Sequence, residues 1–79
     1  MGSVVGEYAK VIRRLCAAEM NARGPDREVL GQVAGAIATF LRRRSRKGRP
    51  ERLVVLALAE RAEEVAVRCL ASSHPTRKT

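Results

Sequence analysis

Two breaks constrain this chain more than any other feature: Gly24-Pro25, and Gly48 followed by Pro50. Gly readily takes the left-handed conformation that closes a helix, and Pro fits the first turn of the next. The breaks divide 79 residues into three segments of about 20, each with apolar side chains at helical spacing. The expected fold is all-α: a small up-down-up three-helix bundle, with helices at about 4–22, 26–46 and 51–71. A single domain over 1–71 follows, because so short a chain has no room for a second core. Residues 72–79 read as a flexible basic tail.

The helix ends carry their own signals. Ser3 is placed to cap the first helix, with Gly24 at its end. Asp26 and Glu28 suit the positive end of the second helix, and the Arg-rich run from Arg42 suits its negative end. Gly48 is expected to close that helix and Pro50 to open the third.

The core should be thin. Apolar residues make up 46% of the chain, but Ala supplies 12 of them and buries little area. Additional stabilisation is expected from self-association or from a larger particle. Two features could provide it. Gly31 and Gly35 form a small-residue ridge on the second helix, suited to close packing inside the bundle or across an oligomer interface. Residues 53–59 are apolar on every side of the third helix, so Leu53, Val54 and Leu56 are candidate self-association residues.

Charge has a definite address. The chain holds 16 Lys+Arg and 8 Asp+Glu, for a formal charge of +8. Residues 42–52 contain seven bases, Arg42, Arg43, Arg44, Arg46, Lys47, Arg49 and Arg52, against one acid, Glu51. Arg77 and Lys78 in the tail supply the remaining excess, so the rest of the chain is neutral. Seven cations in one turn repel one another, and a polyanion relieves that repulsion while releasing counterions. Arg dominates, and its planar fork suits phosphate. These seven residues are therefore the candidate nucleic-acid contacts, DNA or RNA, made mainly to the backbone.

Within the turn, Lys47-Gly48-Arg49-Pro50 resembles the Arg-Gly-Arg-Pro core of the AT-hook, with Arg44 and Arg46 as basic flanks. The resemblance implies insertion into the minor groove of A·T-rich DNA, whose negative potential attracts Arg. Lys47 stands where the hook has its first Arg, and Glu51 follows the core. The same four residues also read as a helix stop, a link and a helix start.

Other recognition modes fit less well. A helix-turn-helix needs a polar N-terminus on its reading helix. The second helix begins with acids, and the third turns apolar after Arg52. Tyr8 and Phe40, the only aromatics, lie in apolar stripes and are expected in the core. Glu60, Glu63 and Glu64 form an acidic stripe, expected to pair with Arg13 and Arg14 or to meet a basic partner.

No enzyme, cofactor or metal is expected. His74 is alone, and no nucleophile–base set or phosphate loop occurs. Cys16 and Cys69 are read as two buried thiols, with a disulfide between them as the alternative. Neither a secretory signal nor a membrane-length apolar run is seen, which points to a cytoplasmic or nucleoid-associated protein with no membrane and no small-molecule substrate. The functional expectation is a non-enzymatic nucleic-acid-binding component of a nucleoprotein particle. The alternative is a helical oligomerisation or adaptor module.

Overall fold

The computed structural model describes residues 4–45, 47–48 and 50–73. They form three helices, α1 (Val4–Asn21), α2 (Pro25–Arg44) and α3 (Arg52–Ser73), with no strand among the described residues. Gly31 lies against Cys69 and Leu70, while Arg42 meets Glu63, so α2 and α3 are antiparallel. Tyr8 packs on Phe40, and Glu19 reaches Arg68, so α1 runs against α2 and with α3. The bundle is up-down-up. The start of α1 and the α2–α3 connection share one end.

The boundaries differ from expectation in instructive places. Gly24 does take a conformation reserved for glycine, φ 57 and ψ −133, but it sits before α2 rather than closing α1. The helix end at α2 comes at Arg44, short of residue 46, because Ser45 turns extended at φ −76 and ψ 118. The Ser45 amide donates to the Leu41 and Arg42 carbonyls, and its Oγ donates to the Arg42 carbonyl at 2.8 Å. Gly48, with φ 84, therefore serves the turn between helices and does not cap α2. Pro50 and Glu51 also lie in that turn, and α3 starts at Arg52 and extends through Ser73, two residues into the expected tail. Ser3 and residues 74–79 lie outside the described residues.

Small side chains join α2 to α3. Ala34 and Ala38 on α2, with Ala59, Ala62 and Ala66 on α3, are all buried. Gly31 belongs to the same seam: a Cβ there would stand 2.7 Å from Leu70 Cγ and 3.2 Å from Cys69 Cβ. Gly31 is thus buried against α3, while Gly35 is half-buried, with a Cβ there 4.0 Å from Ala66 Cβ. Larger residues complete the core: Ile12 and Leu15 from α1, Leu41 from α2, Val55 and Val65 from α3. Cys16 is half-buried, Cys69 is fully buried, and both are free thiols.

Helical periodicity overstated the burial of α1 and of one side of α2. Met20 is 84% exposed and Phe40 45% exposed, while Tyr8 is only partly covered. Three helices bury one stripe of each, and the edges of a wide apolar face stay in water.

Candidate nucleic-acid interface

The basic connection is built by three successive events. The Arg run closes α2 at its negative dipole end, Ser45 stops the helix, and α3 begins with Arg52. Arg42, Arg43, Arg44, Lys47 and Arg52 are thereby gathered at one end of the bundle. Arg46 and Arg49 lie outside the described residues, and with them the middle of the hook-like tetrapeptide.

These cations have different surroundings. Arg42 donates through Nη2 to Glu63 Oε1 across the α2–α3 seam. Arg44 places its guanidinium 5.2 Å from the centroid of the Phe40 ring, one helical turn back, in a cation–π contact. Phe40 in turn meets Tyr8 edge to face, with centroids 5.9 Å apart and planes at 88°. Arg43, Lys47 and Arg52 have no ion-paired carboxylate among the described residues, and Arg43 and Lys47 are exposed.

The opposite end of the bundle handles charge in another way. Arg68 donates to both carboxylate oxygens of Glu19, at 2.7 and 2.9 Å. Arg27 adds an ion pair to Glu19 at 3.8 Å and donates to the main-chain carbonyls of Glu19 and Arg68. The hydrogen bonds from Arg68 hold the Glu19 carboxyl below its ordinary range; burial opposes them, and the positive charges of Arg68 and Arg27 assist. There Glu19, Arg27 and Arg68 spend their charge linking the helices. At the basic connection Arg43 and Lys47 face water with no ion pair among the described residues.

The acidic stripe also resolves differently. Glu63 takes Arg42, while Arg13 and Arg14 form no ion pair among the described residues. Both are exposed on α1, which leaves them solvated. Sequence reasoning missed the Phe40–Arg44 contact, although an aromatic residue and a cation four apart on one helix was a readable signal.

Of the self-association candidates, Leu53 is 73% exposed and Val54 48% exposed, whereas Leu56 and Gly35 are half-buried and Gly31 is buried. No cluster of three or more metal-ligating side chains occurs among the described residues, and no described helix is long and apolar enough to cross a membrane. Comparison with protein families, with curated proteins and with solved structures finds no match to this chain.

Proposed function

We propose that the protein binds nucleic acid without catalysing a reaction, contacting the phosphate backbone through the connection between α2 and α3, as a component of a larger nucleoprotein particle. One observation carries the reading: Arg42, Arg43, Arg44, Lys47 and Arg52 are gathered at one end of the bundle, and of these Arg43, Lys47 and Arg52 have no carboxylate partner among the described residues, whereas Arg27 and Arg68 at the other end are held by Glu19. Unpaired cations fixed at helix ends can meet phosphates without first breaking internal ion pairs. Arg42 has a smaller role in this reading, because Glu63 already holds it. Arg46 and Arg49 complete the proposed set from the sequence.

The test compares two triple variants at equal charge. Arg43→Ser, Arg44→Ser and Lys47→Ser together should abolish duplex binding at moderate salt. Arg13→Ser, Arg14→Ser and Arg23→Ser should retain most of it. Equal loss in both variants would contradict the assignment.

A second reading has its own support. Leu53 and Val54 present apolar surface at the start of α3, suited to a helical self-association module. Light scattering of the purified chain checks it: a strict monomer at micromolar concentration contradicts self-association, and Leu53→Gln with Val54→Gln should dissociate any oligomer.

A further inference from the structure

A cavity of about 310 Å³ opens beside the basic connection, where the start of α1 meets the ends of α2 and α3. Arg44 and Arg52 line it from the two helix ends, Tyr8 lines it from α1, and Ser45 and Glu51 add a hydroxyl and a carboxylate. We infer that this cavity receives one unpaired nucleotide of a bound strand, with its phosphate between Arg44 and Arg52 and its base against Tyr8. The inference rests on the nucleic-acid reading above and extends it from the backbone to a single base.

Each part has a reason. The volume lies at the small end of ligand pockets, which matches one nucleotide and excludes a duplex. Two guanidiniums from different helices can grip one phosphate from two sides, and the first amides of α3 lie at the same end. Arg44 already occupies one face of Phe40, so Tyr8 is the aromatic left for stacking. Val4, Val5 and Val55 line the same cavity and give the base apolar contacts beside Tyr8. Glu51 is the discriminating group. A carboxylate opposes a bare phosphate, but it accepts hydrogen bonds from a sugar hydroxyl or an exocyclic amine. The lining therefore favours a nucleotide over an inorganic anion or a lipid phosphate.

Tyr8 is the only tyrosine and there is no tryptophan, so its ring reports on the site unambiguously. Proton NMR of the full chain should show upfield ring-current shifts of the Tyr8 ring protons on titration with adenosine 5′-monophosphate. Adenosine and inorganic phosphate, each alone, should bind more weakly, and phosphate should leave the ring unmoved. Arg52→Gln should weaken the nucleotide about tenfold, the loss of one charge-assisted hydrogen bond. Tyr8→Leu keeps an apolar side chain on α1 and should lower affinity while retaining helicity. Steep, salt-sensitive duplex binding with no Tyr8 shift would overturn the cavity assignment alone. Binding of phosphate as tight as that of the nucleotide would overturn it as well. Absence of duplex binding would overturn the reading beneath it.

Discussion

Arg68 on α3 grips Glu19 on α1 with two hydrogen bonds, Nε to Oε2 at 2.7 Å and Nη2 to Oε1 at 2.9 Å. The two residues lie far apart in the chain, and Arg27 adds a third arm from α2. One carboxylate therefore ties all three helices together at the end opposite the basic connection.

That geometry has a pH signature. The Glu19 carboxyl is held below its ordinary value of 4.5, first by the Arg68 hydrogen bonds. A depressed carboxyl contributes stability that is fully present above the unfolded value and lost as pH falls through the folded one. Glu19→Gln should lower Tm at neutral pH by about 4–8 °C, a modest loss for a domain this size. The difference between variant and parent should shrink once pH drops below about 4.5. Thermal melts by circular dichroism across pH 3–7 check this, and a constant difference over that range would contradict it.

The two helical glycines should respond in opposite directions. Gly31→Ala puts a methyl 2.7 Å from Leu70 Cγ and 3.2 Å from the Cβ of the fully buried Cys69, so the α2–α3 seam must shift to admit it. Overpacking of about 1–3 kcal/mol outweighs the roughly 1 kcal/mol that Ala gains in helix propensity. Gly35→Ala meets only Ala66 Cβ at 4.0 Å, an ordinary contact, so propensity prevails. Urea denaturation should show Gly31→Ala less stable than the parent and Gly35→Ala more stable, by up to about 1 kcal/mol.

The thiols should differ in reactivity. Cys69 is fully buried, whereas Cys16 is half-buried. In the native protein a thiol reagent should modify Cys16 first, and Cys69 only at the rate of opening. Cys16→Ser should leave the native chain almost unreactive until denaturant is added. Rapid modification of that variant under native conditions would contradict the placement of Cys69.

Much of the fold was legible because its signals are local. Gly24-Pro25, Gly48 and Pro50 marked both connections, and apolar spacing marked the helices. The α2 terminus was less legible, since Ser45 ends the helix through its own main-chain turn and a carbonyl contact that serine makes in many settings. Periodicity also identified the apolar face of α2 without showing how much of it a neighbour covers, so Phe40 was placed in the core. Ion pairing between helices was not legible: the acidic stripe was expected to meet Arg13 and Arg14, yet Glu63 takes Arg42 and the carboxylate that Arg68 grips belongs to Glu19. The basic connection was visible as composition. Its division into Arg42 paired with Glu63, Arg44 stacked on Phe40, and Arg43 and Lys47 facing water required the packing of α2 on α3 and α1.

The central claim is that one Arg-rich connection engages phosphates, and the salt dependence of duplex binding measures it most directly. Five to seven engaged phosphates predict that log K falls with log[salt] at a slope near about −5 to −6. The Arg43→Ser, Arg44→Ser, Lys47→Ser variant should flatten the slope by about 3. A flat slope for the parent chain, or no binding at low salt, would contradict the account.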